Sequence, residues 1–302
     1  MTKLKSIKLQ NYCGYRDTTF DFTDGKGNVK PLILIYGVNG CGKSSALNAI
    51  KLVCNASKYE NRETDLLFKK MVYNPNYDQY TAYRQEKGLE RTYEMTITAI
   101  FTTDNGDKKV IIGSNGVKLN ELEHDFDGYC YHIDADMANN LSRFQVIQGK
   151  LSEDFIEMAK IIYGFDCYFD VGKNQEKLVQ DGDYTFYTDF VIIKHKNKVH
   201  FKNMSAGEKK LAKILESLCD DYYMEKLDIV IVDSIEKEVF YKRHAPLVDK
   251  MVQSFPNKQF VIVTHSGTLI EHATKTYTGS TYDLGEYQKK EWEALDNGTI
   301  GD

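Results

Sequence analysis

The chain has 302 residues, of which 42% are hydrophobic and 27% charged, and its net charge is -5. These proportions belong to a globular protein with ample core and exclude a chain that is disordered throughout, while the acidic balance gives no support to a protein that coats nucleic acid over its whole surface. No apolar run approaches the ~20 residues that cross a bilayer, and the opening MTKLKSIKLQ lacks an apolar signal core, so the expectation is a cytoplasmic protein with no membrane partner. Six cysteines (Cys13, Cys41, Cys54, Cys130, Cys167, Cys219) form no CxxC pair, a usage that fits free thiols in a reducing compartment.

In chain order, residues 4–22 read as a β-hairpin: Ile7 and Leu9 alternate with Lys8 and Gln10, Phe20 and Phe22 flank Asp21, and NYCGYRDT connects the two runs. A turn, DGKG at 24–27, leads through Pro31 into the buried run Leu32 to Ile35. That run stops at Gly37 and is followed by Val38, Asn39, Gly40, Cys41, Gly42, Lys43 and Ser44, the GxxxxGKS phosphate-binding pattern, and then by a helix to about Cys54. Glycines let successive backbone N–H groups turn inward toward a polyphosphate, and the following helix adds the positive end of its dipole. Lys43 then sets a charge between the β- and γ-phosphates, and the Ser44 hydroxyl is placed to ligate Mg²⁺. The expected nucleotide-binding residues are Gly37, Asn39, Gly40, Cys41, Gly42, Lys43, Ser44 and Ser45, with ATP and Mg²⁺ as cofactors.

Residues 55–90 are polar and tyrosine-rich and read as irregular. Tyr93 to Phe101 alternate as a half-buried strand, which turns at DNGD (104–107) into Val110 to Ile112. A strand over 129–136 precedes a helix that Ser152 caps, with Phe155, Ala159 and Ile162 on its apolar face and its end near Gly164. An aromatic strand pair over 184–202 turns at Lys196 and Asn197. In MSAGEKKLAKILESL, Ser205 and Glu208 have capping-box spacing, and Leu211, Ile214, Leu215 and Leu218 share one helix face. Next come a buried strand, Ile229 to Val232, ending in Asp233, a helix from about 237 to 254, and a buried strand ending in Thr264 and His265. Antiparallel strands ahead of a P-loop strand imply a mixed sheet, and Asp233 is expected at the end of a strand beside the P-loop strand, where a water-mediated Mg²⁺ contact sits.

Taken together and in order, GVNGCGKS, VIQGKL, MSAGEKK, IVIVDSIE and FVIVTHS resemble the ABC-type ATPase heads of the SMC and RecF branch and the short stand-alone ATPases related to them. IKLQNYCGYRDTTFDF is similar to the start of that branch, and DSIEKEVFYKRHAPLVDKMVQSFPNKQFVIVTHS to its end. The resemblance implies an α/β fold: a P-loop NTPase head of ABC type with a mixed central sheet, an antiparallel β-subdomain and a short helical lobe. It would form a single domain over 1–302, with the signature lobe at about 137–220. It implies that Gln148 contacts Mg²⁺ and the γ-phosphate side, with Gln145 as the alternative register. Ser205, Gly207 and Glu208 would cap the γ-phosphate bound by a second subunit, and His265 would be the switch residue that hydrogen-bonds the γ-phosphate. Arg16 and Arg62 stand where this branch places arginines toward nucleotide or DNA, and a surface salt bridge is an equal reading for each.

The resemblance further implies an ATPase that forms a homodimer on ATP and acts on DNA or a DNA-associated complex in repair, replication or genome (antiviral) defence. The competing reading is a nucleotide-gated scaffold that controls a separately encoded nuclease or toxin. A transporter subunit is a third, which the SMC-like opening disfavours. Ser234 stands where the branch carries its catalytic Glu after Asp233, so turnover is expected to be slow unless Glu236 or His265 compensates. Two further groupings stay open. His132, Asp134 and Asp136 alternate on one strand, as a metal cluster or a polar strand end. Lys194, Lys196, Lys198, Lys202, Lys209, Lys210 and Lys213 form a basic run, as a nucleic-acid contact or a solvated hairpin tip. No sustained heptads lie between Gln148 and Ser205, so long coiled-coil arms are not expected there.

Overall fold

The structure, a computed structural model, describes residues 1–56, 95–113, 116–120, 130–134, 144–147, 153–170, 178–180, 183–205, 208–209, 211–212, 215 and 228–296. Its centre is a five-stranded parallel sheet of β3 (Leu32–Tyr36), β7 (Cys130–Asp134), β13 (Ile229–Asp233), β14 (Gln259–Val263) and β15 (Thr281–Asp283), in the order β15-β3-β14-β13-β7. The strands β3, β13 and β14 read as short unbroken apolar runs because both of their faces are covered. Alternate residues divide between two cores. Leu32, Leu34, Val230, Val232, Phe260 and Ile262 face one, while Ile33, Ile35, Ile229, Ile231, Val261 and Val263 face the other.

The first core is closed by helices. It takes Phe155, Met158, Ala159 and Ile162 from α2 (Glu153–Tyr163), Leu247, Val248 and Met251 from α3 (His244–Ser254), and Leu269 and Ala273 from α4 (Gly267–Thr276). Leu211 and Leu215, two of the four residues expected on one face after Ser205, join this core with Ala212, while Ile214 and Leu218 lie outside the described residues. The second core holds α1 (Lys43–Cys54) against a second sheet of β1 (Lys3–Tyr12), β2 (Tyr15–Asp21), β4 (Thr96–Thr103), β5 (Gly106–Gly113) and β6 (Gly116–Asn120), all antiparallel, in the order β2-β1-β4-β5-β6. The P-loop helix is thereby packed between two sheets. Full burial of each Leu or Ile here contributes roughly 1.5–3 kcal/mol.

A third sheet is centred on β11 (Asp183–Lys194), which pairs antiparallel with β8 (Phe144–Ile147), β9 (Cys167–Asp170), β10 (Leu178–Gln180) and β12 (Asn197–His200). The stretch 137–220 therefore carries a sheet as well as helix. The chain ends, among the described residues, with α5 (Leu284–Asp296). The two strand directions expected within one central sheet are divided between sheets: pairings in the P-loop sheet are all parallel, and the antiparallel ones lie outside it.

Two expectations are corrected. The helix expected from 237 begins only at His244, behind 3-10 turns at Ile235–Glu238 and Tyr241–Arg243. Pro246 explains the start: it lacks an N–H and is tolerated only in the first turn of a helix, where that donor has no intrahelical partner. The turn between β11 and β12 falls at His195 and Lys196, both left-handed with φ 48° and 69°, one residue before the place expected. Of the remaining expectations, nearly all of 55–90, together with Arg62, Asp136, Gln148, Gly207, Lys210 and Lys213, lies outside the described residues.

Candidate nucleotide site

The site is built where β3 ends. After Tyr36 the chain turns through Gly37 (φ 143°), Gly40 (φ 85°) and Gly42 (φ 84°), backbone angles that disfavour any side chain. Close approach restricts two of these positions as well: a Cβ on Gly37 would lie 2.6 Å from Cys41 Sγ, and one on Gly42 would lie 2.8 Å from the Tyr15 hydroxyl. The Tyr15 hydroxyl donates to the Gly42 carbonyl at 3.1 Å, so the β1–β2 hairpin props the loop from behind. Lys43 is buried, and its Nζ donates to the carbonyls of Gly37 and Val38 at 2.9 Å each, which curls the loop around the charge. Ser44 is exposed at the start of α1, Ser45 is half-buried behind it, and Asn39 is exposed. The N-cap residue of α1, Gly42, supplies no side-chain hydrogen bond, and the first turn holds no acid. A glycine loop with a lysine at its centre and a helix start without acidic side chains is a donor set that fits a polyphosphate.

The strand order corrects the expected place of Asp233. Because β14 lies between β3 and β13, Asp233 stands two strands from the P-loop strand, not beside it. Register still brings it level, since Asp233 pairs with Val263 and Val263 with Ile35, so these strands end in one row roughly 10 Å across. The Asp233 carboxylate accepts from the Ser234 hydroxyl at 3.0 Å. Ser234 is left-handed, with φ 56° and ψ 54°, and its N–H donates to the Val263 carbonyl at 2.9 Å. In the same row, Asp134 of β7 is in register with Asp233.

Glu236 is turned toward the end of β14. Its carboxylate accepts from the Thr264 hydroxyl at 2.7 Å and from the His265 backbone N–H at 2.8 Å. His265 is exposed at the carboxyl end of the sheet, directly before α4, whose N-cap is Ser266. Arg16 follows Tyr15 on β2 and is half-buried. Gln145 lies on β8 opposite Tyr187.

Ser205 and Glu208 form the expected capping box. The Ser205 N–H and hydroxyl each donate to the Glu208 carboxylate at 2.9 Å, and the Glu208 N–H returns to the Ser205 oxygen at 3.4 Å. Lys194 pairs with the same carboxylate. Burial alone would push the Glu208 carboxyl upward, but the hydrogen bonds and charge from Lys194 and Ser205 outweigh it and hold the group below its ordinary value. Tyr36, at the mouth of the loop, is raised by burial and by the negative charges of Asp283 and Glu286. Among the described residues, no group of three or more His, Cys, Asp and Glu is placed to hold a metal ion, and no helix is long and apolar enough to cross a membrane.

A family model described as "AAA domain" matches residues 6–227, well over half of the chain. The chain belongs to the AAA domain family. This ATPase has the fold of an SMC head: a solved SMC head bound to the C-terminal winged-helix domain of ScpA superposes with a TM-score of 0.58, at 14% identity, over 89% of this chain and 91% of that one. Among curated proteins, the Septu protein PtuA of Bacillus mycoides is 20% identical over 87% of this chain and 38% of its own length. The Retron Vc95 probable ATPase of Vibrio cholerae is 25% identical over 33% of this chain and 24% of its own length. The probable peptide export ATP-binding protein YydI of Bacillus subtilis is 25% identical over 62% of this chain and 81% of its own length. The chain thus spans well under half the length of the first two. The resemblance drawn from motif order is borne out at the level of family and fold.

Three site features were not anticipated. Tyr15 carried a signal, since Tyr12 and Tyr15 flank a two-residue Cys-Gly turn. Both are buried and paired across it. The anchoring of Glu236 and the buried His244 beside Ser266 carried none, because both depend on how separate strands are ordered.

Proposed function

We propose that this AAA-family ATPase pairs two copies of itself around ATP and Mg²⁺, and that hydrolysis releases the pair. In this reading the loop Gly37 to Ser45 and Lys43 bind the polyphosphate, and Arg16 borders it. Ser44, Asp233 and Gln148 would hold Mg²⁺, which would supply positive charge to neutralise the polyphosphate. His265 bonds the γ-phosphate from the same copy. Ser205, Gly207 and Glu208 present their helix start to it from the other copy. The observation that carries the reading is the Ser205–Glu208 capping box, which starts a helix at the exposed Ser205 on an element other than the P-loop helix. Substituting Lys43 should abolish nucleotide binding. Ser205→Arg should leave binding intact and prevent pairing; pairing that survives this change removes the role given to the helix start.

Turnover is slow in this reading because Ser234 is a poor base. Ser234→Glu should raise the steady-state ATPase rate, and a drop or no change would contradict that register. For the output, we infer action on DNA or a DNA-associated complex, in repair, replication or genome defence, and a turnover that duplex DNA stimulates. A second reading is favoured by the SMC head structure, in which a head holds a separate protein. There the pair is a nucleotide-gated scaffold for a separately encoded nuclease or toxin, and DNA leaves turnover unchanged. Co-purification with a membrane permease would instead align the chain with its peptide-export relative.

A further inference from the structure

Glu236 is the nearest acid after Ser234 and on sequence grounds the obvious substitute base. Its surroundings assign it other work. Both carboxylate oxygens are engaged: Oε1 accepts from the His265 N–H at 2.8 Å and Oε2 from the Thr264 hydroxyl at 2.7 Å. Thr264 is fully buried, and its oxygen accepts in turn from the Ser266 N–H at 3.0 Å. A second link closes the far side. His244, 4% exposed, lies 2.7 Å from the Val239 carbonyl through Nε2 and 2.7 Å from the Ser266 hydroxyl through Nδ1. A carbonyl only accepts, so Nε2 carries the proton and Nδ1 accepts from Ser266. The Ser266 oxygen also caps α4 by accepting from the Leu269 N–H at 3.2 Å. The segment that follows Asp233 therefore grips the residues on both sides of His265, and His265 projects from between them.

We propose that Glu236 is a positioning residue for His265, holding its backbone at the carboxyl end of the sheet, and is not the base that activates water. Each oxygen keeps a second lone pair, but swinging the carboxylate away from the end of β14 toward a water would break both hydrogen bonds and leave a buried hydroxyl and an N–H without their acceptor, which is costly. The inference rests on the reading that His265 acts at the γ-phosphate.

The two roles part at Glu236→Gln. The amide oxygen still accepts from the His265 N–H and the amide NH₂ donates to the Thr264 oxygen, whose own proton must turn away, so the hold on the His265 backbone is kept while a base is lost. ATP turnover by the full chain should stay within about threefold of wild type for Glu236→Gln, whereas losing a general base costs about 10²–10⁴-fold. Glu236→Ala should lower kcat about tenfold or more with the KM for ATP little changed, the pattern of a lost alignment and not of lost binding. In a His265→Ala background, Glu236→Ala should cost less than about twofold more, because a residue that acts through His265 has nothing left to position. Thr264→Ala, which removes one of the two donors, supplies a milder loss in the same direction if Glu236→Ala does not fold.

A Glu236→Gln protein as inactive as Glu236→Ala, or losses that multiply with those of His265→Ala, would overturn the proposal. If His265→Ala alone turns over normally, the role given to His265 fails first, and the proposal fails with it.

Discussion

At Gly42 the chain turns left against a tyrosine ring, and the fit leaves no room for a methyl group. Gly42→Ala should cost about 1–3 kcal/mol, from the left-handed backbone and the displaced Tyr15 together, and should also weaken nucleotide binding. Chemical denaturation checks the first effect and nucleotide titration the second. Tyr15→Phe keeps the ring and removes the hydroxyl that donates to the Gly42 carbonyl, and should cost about 1 kcal/mol. Residues of this loop were legible in the sequence because glycine spacing encodes a backbone path that few other residues can follow. Tyr15 was half legible, as an aromatic flanking a turn. The bond between Glu236 and His265 was not, since nothing local brings a residue after β13 to the end of β14.

Among the elements, the helix start at Ser205 depends on one carboxylate, and its pH dependence follows from the direction of its shift. Glu208 is held below its ordinary value in the folded chain, so it adds stability above the ordinary glutamate value of 4.5 and loses that contribution as pH falls through the lowered value. The helix start should therefore loosen only in acid, and NMR titration of the Glu208 carboxyl should give a midpoint below 4.5. Lys194→Ala should move that midpoint upward by removing the opposing charge; an unmoved midpoint would mean that Ser205 alone holds the carboxylate. Most elements were legible from period and composition: the apolar runs of β3, β13 and β14, the alternating β4, and the apolar face of α2. The helix expected from about 237 starts only at His244, because Pro246 fits no deeper than the first turn. The order β3-β14-β13 could not be read at all, because sequence patterns show which faces a strand buries and not which neighbour it chooses.

Across the whole molecule, the parallel sheet is a wall between two cores, with α1 and the antiparallel sheet on one side and the helices α2, α3 and α4 on the other. All of the described strand-end residues of the site leave that wall at its carboxyl edge, as ligand-binding residues do in open α/β sheets. The helix start at Ser205 belongs to the helical side and Lys43 to the other, and in the proposed pair they meet through a second copy. At a net charge of -5, contact with DNA would have to be local, so any stimulation of turnover by duplex should weaken steeply with added salt. The most direct test of the central claim is the mass of the protein by light scattering, with and without a non-hydrolysable ATP analogue and Mg²⁺. The expected result is a monomer that doubles its mass on adding the analogue, and a Ser205→Arg chain that binds the analogue and stays single. A wild-type chain that binds the analogue and remains a monomer at every concentration would contradict it.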